Sequence, residues 1–134
     1  MENLINKIKN SISLSIEAEK YIYSIAEEKS FSKGEILIQE GQTVNKTFFV
    51  IHGSLRSFCV DNEGKEHTLQ FAIQDWWISD FIAMYNHEPA SLTVECITDS
   101  TVIEFNAQML AQIYLQFPEF EPFQRKTLER HVVS

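Results

Sequence analysis

KTFFVIHGSLRSFCVDNEGKEHTLQFAI, residues 46–73, is the stretch whose reading sets the fold. KTFFVIHG reads as an apolar strand stopped by Gly53, and SLRSFCV as a second strand that runs into the polar turn DNEGKE. Gly64 is available there for the positive φ that tight turns demand. HTLQFAI then alternates, with Leu69, Phe71 and Ile73 on one face and Thr68 and Gln70 on the other. A period of two over so short a run is a strand signal.

The pattern continues on both sides. GEILIQEG places Ile36, Leu37 and Ile38 between two glycines, and the four glycines stand 7, 12 and 11 residues apart, the rhythm of short antiparallel strands. Downstream, SLTVEC sets Leu92, Val94 and Cys96 on one face, and STVIEF follows the turn Thr98-Asp99-Ser100. Helices flank the strands. Leu4, Ile5 and Ile8 make a short amphipathic start; Ser15 can cap a firmer helix whose Ala18, Tyr21, Ile22 and Ile25 share a face, with Glu17 and Glu19 at its positive end. That pattern fades at Lys29–Ser30. Asn106 reads as the cap of a later helix with Met109, Leu110, Ile113 and Tyr114 on its apolar face, ending before Pro118, and Phe120, Phe123 and Leu128 suggest a last short one. Seven or eight short strands between helices predict a mainly β chain, a double-stranded β-helix or jelly roll with flanking N- and C-terminal helices. The expected divisions are N-terminal helices over 1–30, a β-roll over 31–106 and C-terminal helices over 107–134.

At 134 residues the chain is one domain's worth of protein. No apolar run approaches the roughly 18 residues of a membrane span. The N-terminus lacks the apolar block of a signal peptide, so a cytoplasmic location is expected. Cys59 and Cys96 stand alone in apolar runs and read as small buried hydrophobes. The net charge of −8 is unevenly spread: residues 66–124 contain nine acids and no Lys or Arg. Phosphate neutralisation needs cations, so direct nucleic-acid binding by this chain is not expected.

Catalytic and metal-binding readings find little support. His52, His67, His87 and His131 form no ligand-spaced pair, no G-x-S-x-G elbow exists, and the scattered glycines match no phosphate-cradling loop. The chain is therefore read as a non-enzyme without a metal. More informative is DWWISDFIAMYNHEPASLTVE, residues 75–95. Asp75-Trp76-Trp77-Ile78 reads as a short strand, Ser79 or Asp80 as the cap of a one- or two-turn helix over Phe81–Tyr85, and Asn86-His87-Glu88-Pro89 as its break. A new strand starts near Ser91. Such a helix between two strands points its backbone N–H groups into the mouth of the roll. The plainer reading is that Trp76, Trp77, Phe81 and Tyr85 simply plug that mouth.

The order KGEILIQEGQ, FFVIHGSLR, GKEHTLQF, DWWISDF and PASLTVECITDSTVIEF resembles the cyclic-nucleotide-binding domain of Crp/Fnr-type transcription regulators, in particular divergent regulators common in the Bacteroidetes. The likeness covers about residues 15–130. It implies a phosphate-binding cassette at 78–91, opening on Gly-Glu, whose acid holds the ribose 2′-hydroxyl, and closing on Arg-Ser or Arg-Thr, whose arginine pairs with the cyclic phosphate. Here Ile78-Ser79 and Ala90-Ser91 stand in those places, and only Ser91 is retained. The resemblance thus marks Arg56, Ile78, Ser79, Asp80, Phe81, Ala90, Ser91 and Leu92 as the candidate ligand pocket. It also disfavours cyclic AMP in the usual mode, since a desolvated phosphate needs charge-assisted hydrogen bonds. Asp80, Glu88 and Glu95 would repel an anion, and Arg56, the only in-strand cation, can face outward. Two alternatives stand beside a sensor for an unidentified effector: a cyclic nucleotide held by backbone amides, Ser79, Ser91 and Arg56, or a ligand-free protein-interaction domain. The family's helix-turn-helix half is absent from the 134 residues, which end 16 residues past Pro118. A homodimer through the C-terminal helix, with Phe120, Phe123, Leu128 and Val132 as its seam, is a further expectation.

Overall fold

The computed structural model describes residues 2–10 and 13–120. Leu4, Ile5 and Ile8 lie on one side of α1 (Glu2–Lys9), and all three are buried. In α2 (Ile16–Ile25) the Ser15 hydroxyl oxygen accepts from the Ala18 N–H at 3.1 Å, and Ala18 and Ile22 turn to the core. The strands follow: β1 (Glu27–Phe31), β2 (Ile36–Ile38), β3 (Lys46–His52), β4 (Leu55–Val60), β5 (Glu66–Ala72) and β6 (Trp77–Ile78). Next come the short helix α3 (Phe81–Asn86), β7 (Thr93–Cys96), β8 (Ser100–Asn106), α4 (Ala107–Gln116) and a 3-10 turn at Pro118–Phe120.

The strands form two four-stranded antiparallel sheets, ordered β1-β8-β3-β6 and β2-β7-β4-β5. The chain is therefore mainly β, a jelly roll with flanking helices. Cross-strand register assigns the faces of the first sheet. Thr47 pairs with Phe105, and Phe49 with both Ile103 and Trp77, so these residues share the face that meets the helices. Phe48 pairs with Ile78 and Val50 with Val102 on the opposite face, inside the roll. There they meet Leu55 and Val94 of the second sheet, and all six are at most 1% exposed. Burial of side chains of this size stabilises by about 1.5–3 kcal/mol each. Gly53, with φ +98, joins β3 to β4 where a Cβ would overlap Ser100 and the Asp99 carbonyl.

Three local features depart from the periodicity. β1 (EEKSF) lies where the sequence reads as the fading end of a helical segment. Its pairing with β8 decides it, and Lys29 closes to 2.7 Å on Glu104 of that strand. The strand expected over 75–78 is only Trp77–Ile78, because Asp75 has a left-handed φ of 70. The alternation in β5 puts the apolar row outside: Leu69 and Phe71, with Ile73 just past the strand, are exposed at 60%, 60% and 54%. Gln70 turns inward instead, and its side-chain amide donates to the Trp77 carbonyl at 3.0 Å. Of the two cysteines, Cys96 is buried and Cys59 half-buried, both free thiols. Burial pushes the Cys96 thiol up from its ordinary value. The last short helix expected around Phe123 and Leu128 lies outside the described residues.

Candidate functional site

α3 begins where β6 ends, and its cap is Asp80, a buried carboxylate only 3% exposed. Oδ1 accepts from the Ala83 N–H at 3.1 Å. Oδ2 accepts from the Ser91 N–H at 2.9 Å and from the Ser91 hydroxyl at 3.2 Å. All three donors are neutral. A carboxylate removed from water needs such bonds to offset its lost hydration. The same donors, a helix N-terminus and a serine facing it, are what an incoming anion would require. One side-chain carboxylate therefore already sits where three hydrogen-bond donors converge.

The neighbouring positions are equally committed. Ile78 is fully buried and registered against Phe48, leaving no open approach at the backbone. The Ser79 hydroxyl donates to the Lys46 carbonyl at 2.7 Å. Phe81 is buried, and Leu92 is half-buried against the core. Ala90 is 4% exposed; its N–H donates to the Gln42 carbonyl at 2.7 Å, and its carbonyl accepts from Gly41 at 2.8 Å. A methyl group fills the place that the family resemblance gives to an arginine.

Seven of the eight candidate residues, Ile78 to Phe81 and Ala90 to Leu92, thus gather around the front of α3. Arg56 does not join them. Its neighbour Ser57 turns inward opposite Val94, whereas Arg56 lies on the outer face of the second sheet, opposite Glu95. Nε donates to Glu95 at 2.7 Å, and Nη2 stands 2.9 Å from Glu66. The guanidinium also lies 4.1 Å from the centre of the Phe58 ring. These contacts, the Glu66 hydrogen bond foremost, raise its pKa above the ordinary value. Glu95 is matched by this cation rather than turned toward the cassette, so the acid beside the anion donors is Asp80 itself.

Other residues singled out from the sequence are dispersed. His67 is 2.8 Å from Asp61 in the β4–β5 turn, and His87 adopts a left-handed φ of 55 at the end of α3. Among the described residues no group of three or more His, Cys, Asp or Glu could hold a metal ion. His131 lies outside them. Trp77 packs edge-on against Phe49 at 5.2 Å and beside Phe105 at 5.6 Å. Trp77 and Phe105 thus line the seam between the first sheet and the helices. Thr47, buried in that seam, gave no signal within the apolar run KTFFVIH.

Comparison with known proteins places this geometry. The family model described as cyclic nucleotide-binding domain matches residues 28–117, and the chain belongs to that family. No curated protein matches it by sequence. Among solved structures it is similar to the catabolite activator protein of Thermus thermophilus, at 15% identity and a TM-score of 0.77, covering 90% of this chain and 56% of that one. It is similar also to the sensor domain of the transcriptional regulator DNR from Pseudomonas aeruginosa, at 15% identity and TM-score 0.74, covering 90% and 83%. A putative cAMP-binding regulatory protein from Silicibacter pomeroyi matches at 20% identity and TM-score 0.74, covering 99% and 62%. The chain thus spans little more than half the length of the Thermus protein. Among the described residues no helix is long and apolar enough to cross a membrane.

Proposed function

We propose that this member of the cyclic nucleotide-binding domain family is the sensory domain of a Crp/Fnr-type transcription regulator, and that it does not hold cyclic AMP in the family's usual mode. In this reading it is a non-catalytic cytoplasmic module over residues 31–106. It pairs with a second copy through residues 107–134 and reaches DNA only through a helix-turn-helix domain beyond this sequence. Of the seam expected from the sequence, Phe120 is buried within the fold, and Phe123, Leu128 and Val132 lie outside the described residues.

One observation carries the negative half of the proposal. The Asp80 carboxylate takes the Ser91 N–H, the Ser91 hydroxyl and the Ala83 N–H, the donors a cyclic phosphate would need. A second anion there would displace it or lie beside it without a cation, and Ala90 supplies none. Charge-assisted bonds are about twice as strong as neutral ones, so helix-end amides do not replace the missing arginine. Arg56 is held by Glu66 and Glu95 on the far side of its strand. The test is calorimetry with cyclic AMP and cyclic GMP: no binding tighter than millimolar supports the proposal, and micromolar affinity overturns it.

A second reading, a protein-interaction domain, is favoured by the exposed apolar row of Leu69 and Phe71 on β5 and Ile73 just past its end. Charge substitutions along that row would release a bound partner in that case. They would leave effector binding unchanged if the sensory reading holds.

A further inference from the structure

An apolar cavity lies on the side of the first sheet away from the roll's interior. Its floor is Thr47, Trp77 and Phe105; its walls are Met84 and Tyr85 of α3 and Tyr114 of α4. It is narrow, with a volume of about 30 Å³. It meets a wider groove between α3 and α4, about 990 Å³ including open solvent, which shares Met84, Tyr85 and Tyr114 with it. The outer mouth is therefore roomy and the inner end slim.

The inner end carries a polar loose end. Thr47 is 1% exposed, and its Oγ1 has no hydrogen-bond partner among the described residues. A buried hydroxyl left unpaired costs free energy that an apolar side chain of the same shape would not. Native chains keep few such groups, and an unpaired one in a cavity wall is a place for a guest's polar atom. The wall also excludes charge. Among the described residues no Lys or Arg lines the cavity or the groove, and Tyr114, largely desolvated and hydrogen-bonded to Tyr85, stays protonated beyond the ordinary tyrosine range. A carboxylate or phosphate entering here would be desolvated with no cation to meet it.

We infer that this seam is a binding site for a slender, neutral, mostly apolar molecule with a single hydrogen-bonding head. The head bonds to the Thr47 hydroxyl, and the aliphatic tail runs out between α3 and α4 into the groove. Such a guest joins the cassette helix to the C-terminal helix by wedging between Met84 and Tyr114. Neither Asp80 nor Ser91 lines the cavity or the groove, so the site does not draw on the donors that a cyclic nucleotide would use.

The test uses 1-octanol as probe and octanoate as its charged match, followed by Trp fluorescence and by the ¹³C-methyl resonance of Met84. In the wild-type chain, saturable change with octanol and none with octanoate is expected. Thr47→Val should weaken octanol about tenfold, the value of one net hydrogen bond, while leaving n-octane unaffected or tighter. The same variant should melt higher without ligand, because it removes the unpaired hydroxyl. Absence of saturation with octanol, equal binding of octanoate, or unchanged octanol affinity in Thr47→Val would each overturn the inference. Should Thr47→Val fail to fold, the wild-type contrast between octanol and octanoate at the Met84 methyl decides alone.

Discussion

Two carboxylate sites in this chain are built in opposite ways. On the outer face of the second sheet, Glu66 and Glu95 share the cation of Arg56 in a partly exposed cluster. At the front of α3, Asp80 is buried and bonded only to neutral donors. The first arrangement matches charge but stands in solvent, where water and salt weaken it. The second lacks a counter-charge but is fixed by geometry. The lesson is that the cation on β4 serves the surface, while the place that the proposed function gives to an anion holds an internal carboxylate. A fold can keep a binding motif's backbone and still occupy it with its own side chain.

The contrast predicts unequal costs. Asp80→Leu, which removes the cap and leaves the Ser91 and Ala83 donors unmatched, should lower stability by about 2–3 kcal/mol in chemical denaturation. Asp80→Asn, which keeps one acceptor oxygen, should cost about 1 kcal/mol. Equal losses for the two would show that the acceptor geometry is not what holds the site. Arg56→Ala should cost no more than about 1 kcal/mol, shrinking further in high salt. A larger, salt-insensitive loss would erase the distinction between the two sites.

The smallest effect belongs to the β4–β5 turn. A hydrogen bond from His67, and after it the Lys65 N–H, hold the Asp61 carboxyl below its usual range. A lowered folded-state pKa contributes stability that is present above the ordinary carboxylate range and lost as pH falls through the lowered value. Denaturation midpoints followed from about pH 5 downward should therefore slope less in Asp61→Ala than in the wild type. Parallel slopes would remove this turn from the account.

Much of this was legible in the residues. The caps Ser15, Asp80 and Asn106 could be read because a helix N-cap binds a backbone N–H two or three residues on, a local relation. The strands could be read from alternation and glycine spacing. What alternation cannot say is which face meets the core, so Leu69, Phe71 and Ile73 were correctly placed together while their direction to solvent had to come from the sheet's packing. β1 hid because EEKSF carries almost no apolar signal and owes its state to β8. The Asp80–Ser91 pairing spans 11 residues of loop and helix, beyond any local rule, and Arg56's outward turn depends on which side of β4 the roll closes.

The closure of the anion site is tested most directly by titrating ¹⁵N-labelled chain with cyclic AMP while following the Ser91 and Ala83 amide resonances. Both should stay in place up to millimolar nucleotide, because the Asp80 carboxylate already holds those N–H groups. Saturable movement of both at micromolar nucleotide would mean that the phosphate displaces Asp80, contradicting the account.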